Sequence, residues 1–455
     1  MERAARLYEA GNLEAARSLC EDILRADSHH FYALHLLATI AATQGEHEDC
    51  VRLASRAIQA NPRNAEALSN RGAALRALCR FDEALADYDR ALALEPRSAA
   101  ILNNRGVTLA ALGRHREAVE CYDRALEAEP KYARARHNRG LSRLMLGVFP
   151  DAWEDYEWRW PGGETPSGLR PFPFPTFQAA DFGKGRRIAL WCEQGLGDNL
   201  AFSTLTEELA RRGEAFVLEA DRRLVASISR AHPGWNVVSR EDSPKEFLPC
   251  DRHLPLGSLG ALFRRSLQDF AAQPRAFLAP DGARAESYRA RIADGARGPI
   301  GVSWRTFQAR GRGFYERTRS APLAAFGDLS RMPGIRLVDL QYGDTKAERE
   351  AFAHDSGELT RIEELDLYND LDGLVALISA CDAVVTTDNA TAHLAGAAGK
   401  RTLLLYLSAN APSHYWAPTP EGRSRWYPSV EIVTARDVDT WQRALSRVQQ
   451  VLAAR

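Results

Sequence analysis

Asp388, Asn389, Thr391 and His393 are the residues of this 455-residue chain whose company most directly implies chemistry. They lie in Val384 to Gly399, VVTTDNATAHLAGAAG. An apolar run from Asp382 to Thr386 reads as a buried parallel strand, Thr387 to Asn389 as a polar turn, and the residues after it as a small-residue helix ending near Gly399. In an open parallel sheet such a junction sits at the carboxyl end of a strand, where helix-start N–H groups and the helix dipole favour an anion such as a diphosphate. Ala390, Thr391, Ala392, Ala395, Gly396, Ala397 and Ala398 let a ligand or a neighbouring strand approach closely. The same residues also fit a plain capped helix, with Asp388 or Asn389 as the cap and His393 merely packed.

The elements that must position this turn are alternating strands and helices from Arg187 onward, the pattern of doubly wound parallel sheets. Strands are expected at Arg187 to Cys192, Ala215 to Ala220 and Trp235 to Val238. After a crossing near Pro274 to Pro280, further strands are expected at Pro299 to Trp304, Arg336 to Gln341, Asp382 to Thr387 and Arg401 to Tyr406, with a closing helix from about 438 to 452. The first strand runs into EQGLGDNLAF (Glu193 to Phe202), a Gly-rich turn opening a helix. Two such halves in tandem imply a cleft between them.

The first third repeats with a 34-residue period: Asn70-Arg71-Gly72 returns as Asn104-Arg105-Gly106 and Asn138-Arg139-Gly140. Ala84, Ala118 and Ala152 keep step, as do Tyr88, Tyr122 and Tyr156, and Pro62, Pro96 and Pro130. Gly11, Gly45, Gly113 and Gly147 share a phase with Cys79 in the slot between. This resembles the tetratricopeptide repeat, a helical hairpin with a small residue where its helices cross, and about four and a half units fit by residue 160. Stacked hairpins present a concave surface. Asn70, Arg71, Asn104, Arg105, Asn138 and Arg139 are expected to form a polar ladder there that holds an extended protein or peptide; the alternative is an array that only props up the second half or mediates dimerisation.

The last hairpin gathers Trp153, Tyr156, Trp158 and Trp160, as if to dock on something apolar. Pro161, Pro166, Pro171, Pro173 and Pro175 follow in a stretch with no period, a proline-stiffened linker. Charge is balanced, 59 Lys and Arg against 60 Asp and Glu, so no global field favours nucleic acid. Seven scattered cysteines without a C-x-x-C pair argue against zinc and a disulfide framework. No run of about 18 apolar residues occurs, and the amino terminus carries alternating charges, so no membrane insertion and a cytoplasmic location are expected.

EQGLGDNLAF, GVSWR (Gly301 to Arg305), RSAPL (Arg319 to Leu323), DLQYGD (Asp339 to Asp344), DNATAHLAGAAGK (Asp388 to Lys400) and WYPS (Trp426 to Ser429) stand in the order found in a bacterial family joining tetratricopeptide repeats to a glycosyltransferase domain. That domain is similar to the ADP-heptosyltransferases, and some members are implicated in flagellin glycosylation. The resemblance implies an all-α repeat superhelix followed by an α/β GT-B fold, two Rossmann-like domains facing a cleft. The expected boundaries are repeats 1–160, linker 161–184, an acceptor-side domain 185–280 and a nucleotide-sugar donor domain 281–455. The chain departs from the family pattern at Asp388-Asn389, where Asp-Thr is usual, at Asp339-Leu340-Gln341 for Ser-Leu-Gln, and at His414-Tyr415-Trp416 for Trp-Arg-Trp.

From the resemblance, Asp198 is the candidate base for the acceptor hydroxyl; an ordinary Asp cap is the alternative. The donor candidates are Gly195, Gly197, Asn199, Trp304, Arg305, Arg319, Gln341 (for the nucleobase), Asp388, Asn389, Ala390, Thr391 and His393. Arg310, Arg312 and Arg317 crowd the loop between Arg305 and Arg319 and read equally as a solvated charge run. No metal and no cofactor are expected, the nucleotide sugar being a co-substrate, and the transferase is expected to invert. A noncatalytic repeat adaptor with a degenerate GT-B domain, and a transferase acting on a lipid or saccharide acceptor, are the alternatives.

Overall fold

A computed structural model describes residues 1–161, 168–293, 295, 298–306, 319–406, 414–434 and 440–454. Pro166 and the arginines 310, 312 and 317 therefore lie outside the described residues. Contacts among the described residues separate 1–146 from the part that begins at Gly147.

The first unit is helical. Phe31–Thr43 packs on His47–Ala60, Ala65–Ala77 on Phe81–Leu94, and Ala99–Ala111 on His115–Ala128. The period has a steric origin. Gly72 lies under the Tyr88 ring and Gly106 under Tyr122, so close that a Cβ would stand 2.9 and 2.6 Å from the ring carbons. Both tyrosines are fully buried, and only glycine admits them at the crossing. Gly11, Gly45 and Gly113 end their helices at φ +77°, +77° and +73°, the left-handed conformation that closes a helix, and Cys79 takes the same role at φ +62°.

The motif arginines do not stand open along a ladder. Arg71 makes a bidentate pair with Asp87, 2.7 and 2.6 Å, and also donates to Ser55; Arg105 pairs with Asp89 and Cys121, and Arg139 with Asp123. Each partner is 16 residues away, so these guanidiniums tie helices together within the array. Asn70, Asn104 and Asn138 are half-buried, and Asn138 donates to the buried Asn103. Arg71 lines a cavity of about 270 Å³ with Arg80, Arg90 and Glu83.

The second unit holds two all-parallel sheets. The first has the order β3-β2-β1-β4, with β1 Arg187–Trp191, β2 Ala215–Ala220, β3 Asn236–Ser239 and β4 Arg252–Pro255. The second has the order β10-β9-β8-β5-β6-β7, with β5 Gly298–Ser303, β6 Ile335–Asp339, β7 Leu359–Thr360, β8 Ala383–Thr386, β9 Thr402–Tyr406 and β10 Val430–Thr434. β4, β7 and β10 are not evident in the sequence: β4 is four residues ending in Pro255 at a sheet edge, where a missing N–H is tolerated. Val302, Val385, Leu403 and Leu405 pack against Phe326, Leu445 and Val448, so the closing helix Trp441–Ala453 covers the second sheet. Each of these burials is worth roughly 1.5–3 kcal/mol.

The aromatic end of the repeat pattern belongs to this second unit. Helix Asp151–Tyr156 and a 3₁₀ turn Glu157–Arg159 bring the Trp153 ring onto Gly260, where a Cβ would stand 2.3 Å from it, and Trp153 Nε1 donates to the Arg264 carbonyl at 2.6 Å. Residues 147–160, which carry repeat phase in the sequence and were assigned to the 1–160 domain on that basis, group with the sheets. The described part of the linker is held at Arg170, which makes a bidentate pair with the buried Glu219 at 2.7 Å. Among the described residues no helix is long and apolar enough to cross a membrane.

Candidate functional site

Strand order locates the site. In the second sheet the chain runs from β5 outward through β6 to β7, then returns to β8 on the other side, so the order reverses between β5 and β8. Open parallel sheets bind ligands outside the carboxyl ends at such a reversal. Here the residues after β5 and after β8 are tied together: Asn389 Nδ2 donates to Ser303 Oγ at 2.9 Å and to the Arg305 carbonyl at 3.3 Å, and Thr306 Oγ1 donates to the Asp388 carbonyl at 2.6 Å. Asn389 is also the cap of helix Ala390–Ala397, its Oδ1 accepting from Ala392 N at 3.3 Å.

Asp388 is buried beside that helix start. Arg319 pairs with its Oδ2 at 2.9 Å and Trp416 Nε1 donates to its Oδ1 at 2.8 Å. His393 lies among Trp416, Tyr415 and Tyr427, ring centroids 4.6, 5.5 and 5.7 Å away, and its Nδ1 meets the Tyr427 hydroxyl at 3.1 Å. Burial pushes its pKa down to about 4, a fall that nearby Arg319 reinforces and Asp388 opposes, so the imidazole is neutral at pH 7.

The first sheet has its own reversal, between β1 and β4, and the Gly-rich turn follows β1 there. Asn199 holds that turn with its amide: Oδ1 accepts from Glu193 N and Gln194 N, and Nδ2 donates to the Gln194 carbonyl at 2.7 Å. Behind it Arg159 and Glu193, each 1% exposed, form an ion pair at 2.9 Å, with Arg159 also donating to Ser258 Oγ. Helix Leu196–Ser203 starts at this turn and packs on helix Ala390–Ala397. The contact is tightest at Gly197, where a Cβ would stand 2.6 Å from the His393 ring.

Asp198 comes next on the same face, and the Tyr415 hydroxyl donates to its Oδ1. Burial raises the Asp198 carboxyl above its usual range; Tyr415, the Arg319 charge and the Gly195 N–H pull it back, and Asp388 pushes it further up. Leu196, Asn199, Leu200 and Ser203, on another face of the helix, line a cavity of about 570 Å³ that continues past the ends of β2 and β3 to Arg222, Arg240 and Tyr368.

The structure therefore brings together Gly197, Asp198, Arg319, Asp388, Asn389 and His393. Gly195 is exposed at the start of its helix, and Ala390 is half-buried at the start of the other. Three further candidates face into the fold, and Asn199 lines the cavity while it holds its turn. The Trp304 ring is fully buried in the core and its Nε1 donates to Glu348 at 2.6 Å. Gln341, expected to read a nucleobase, has both amide ends occupied: Oε1 accepts from Ser303 Oγ, Trp304 N and Arg305 N, and Nε2 donates to the carbonyls of Arg305 and Tyr342. Asn199 is the loop latch described above, and Thr391 is buried with its hydroxyl toward the Leu340 carbonyl at 3.4 Å. Arg305 pairs with Glu348. Tyr415, Trp416 and Tyr427 complete the site and were not among the candidates; the residues 414–416 stood out only as a departure from the family pattern. No group of three metal-ligating side chains occurs among the described residues.

Comparison with known proteins agrees with this division. Residues 1–65 and 63–131 match tetratricopeptide repeat families, and 349–421, which include β8, the helix carrying His393 and the 414–416 turn, match glycosyltransferase family 9 (heptosyltransferase). Protein FlbA of Caulobacter vibrioides is 27% identical over 319 residues, 66% of this chain and 52% of that protein, so the chain spans about half the length of this curated relative. Among solved structures, MamA is 21% identical at TM-score 0.33, covering 36% of this chain and 96% of its own. PilW, described as a type IV pilus biogenesis factor, is 23% identical at TM-score 0.34, covering 40% and 80%. The chain thus joins tetratricopeptide repeats with an internal Gly–Tyr register to a region of parallel sheet that matches glycosyltransferase family 9 across the turn holding Asp388 and His393.

Proposed function

We propose that the chain transfers a sugar from a nucleotide-sugar donor to a hydroxyl of a protein held by the repeats, in a GT-B cleft between its two sheets. One observation carries this reading: the Gly-rich junction after β1 and the polar junction after β8 meet face to face, with no side chain between Gly197 and His393, so an acid and a helix start suited to an anion share one site. In this reading the acceptor O–H gives its proton to Asp198 as its oxygen bonds to the anomeric carbon. The carbon–phosphate oxygen bond breaks, and the nucleoside diphosphate leaves with the electron pair. Arg319 and the N–H groups at the start of helix Ala390–Ala397 offset its charge. Attack opposite the leaving group inverts the anomeric centre, and no step calls on a metal.

Nucleotide release from a panel of nucleotide sugars, with and without candidate acceptor protein, tests the reading. Asp198→Asn is expected to lower turnover about 100-fold or more at nearly unchanged donor affinity; wild-type turnover reduces Asp198 to a helix cap. Asn70, Asn104 and Asn138 changed together to Ala should raise the acceptor's KM while sparing donor hydrolysis. Intact-protein mass spectrometry reads this, and wild-type modification rates would leave the repeats a scaffold only. A noncatalytic adaptor is the second reading, favoured by the internal partners that already fill the turn: Asp388 by Arg319 and Trp416, His393 by three aromatic rings. Nucleotide binding without release from any donor decides for it.

A further inference from the structure

The 3₁₀ turn His414–Trp416 reaches both acids of the site with consecutive side chains. Tyr415 donates to Asp198 Oδ1, and Trp416 donates to Asp388 Oδ1 at 2.8 Å. Tyr415 is 5% exposed and Trp416 fully buried. Their backbone is anchored in turn, since Ser424 Oγ donates to the Tyr415 carbonyl at 2.8 Å and accepts from Trp426 N and Tyr427 N. Phe202, one helical turn beyond Asp198, packs edge-on against Tyr415 and Trp426 at 5.9 and 5.3 Å. The turn follows β9 of the second sheet, whereas Asp198 follows β1 of the first, so this contact crosses from one sheet's loops to the other's.

We propose that Tyr415 is a positioning residue for Asp198: its hydroxyl fixes one carboxylate oxygen, while Trp416 fixes Asp388, so a single turn sets the acid and the anion-binding turn in one frame. This rests on the reading of Asp198 as the base. A carboxylate offers two oxygens, and holding one leaves the lone pairs of the other for the acceptor proton. The hydrogen bond also favours the charged form against the burial that disfavours it. Other groups around Asp198 are the Gly195 N–H on its own turn, Arg319, Asp388, His393 over Gly197, and the hydroxyls of Tyr427 and Tyr156.

The test is a pH titration of aspartate carboxyl carbons by NMR on the full chain without ligand, with the Asp198 resonance assigned by its loss in Asp198→Asn. Tyr415→Phe is expected to raise the Asp198 midpoint by about one pH unit. A fluorinated tyrosine at 415, a stronger donor, should lower it, and provides the answer should the Phe variant not fold. A midpoint that stays put in both overturns the inference, because a packing role for the ring would leave the titration where it was. The base reading fails separately, if Asp198→Asn releases nucleotide at the wild-type rate. An Asp198→Asn variant without activity, beside an unmoved midpoint, sinks the inference and keeps the base.

Discussion

His393 is one of two histidines, with His115, on which pH should act most visibly. Its imidazole is neutral in the fold, with a pKa pushed to about 4 against about 6.5 when unfolded. Between those values the unfolded chain binds the proton and the folded chain does not, so stability is full above about pH 6.5 and falls as pH drops toward 4. The limiting loss is about 3 kcal/mol. Asp339 works in the opposite sense: burial raises its carboxyl to about 6, so the folded chain takes up that proton first and gains stability as pH falls through 6. Wild type should therefore show a shallow acid dependence in urea melts. His115, which burial also pushes down to about 4, stays in place in His393→Asn, so the variant should narrow the gap between melts at about pH 5 and pH 7 without closing it; an unchanged difference between the two pH values would show that His393 is not buried neutral.

At the scale of the element, the helix stops of the repeats make the clearest case. Four of the five equivalent positions from Gly11 to Gly147 are glycine with φ between +73° and +77°, and the fifth is Cys79 at +62°. A side chain in that conformation costs about 1–2 kcal/mol, and the flexibility glycine adds to the unfolded chain returns part of it. Cys79→Gly is therefore expected to stabilise the chain by about 0.5–1 kcal/mol, read as a higher denaturation midpoint at an unchanged slope. A loss of stability would mean that the Cys79 side chain contributes more than its backbone costs. The repeat was legible because its partners lie close in sequence: Gly72 meets Tyr88 and Gly106 meets Tyr122, both at a spacing of 16. Tyr415 and Asp198 are 217 residues apart and occur once, so no period betrays them. Polarity misled for the same reason. Gln341, Asn199 and the motif arginines carry the groups a ligand would want, but their partners are backbone amides and carboxylates that only the folded chain brings near.

At the scale of the molecule, the aromatic segment after the repeats is a part that the sheet-bearing unit cannot lose cheaply. Arg159 lies between the rings of Tyr156 and Trp160, 4.5 Å from each centroid, and its charge is met by Glu193 in the turn that leads to Asp198. Removing Arg159 leaves Glu193 buried without its counter-charge, so Arg159→Met should cost about 3–5 kcal/mol. The double variant Arg159→Met with Glu193→Leu should recover most of that in chemical denaturation. Equal losses for the single and double variants would show that the pair's geometry, not its charge, holds the turn. Repeat arithmetic assigned this segment to the array because Ala152 and Tyr156 keep the 34-residue step, and contacts assign it to the sheets.

That double allegiance restricts how such a chain can lengthen or shorten over evolutionary time. A duplication or deletion of 34 residues ending before Gly147 adds or removes one hairpin and leaves Gly260 and Arg264 beside Trp153, and Glu193 beside Arg159, in place. The same event straddling residues 151–160 would carry off the ring over Gly260 and the counter-charge of Glu193 with the hairpin. Variation in repeat number is thus expected upstream, with the final half-hairpin inherited as part of the sheet-bearing unit.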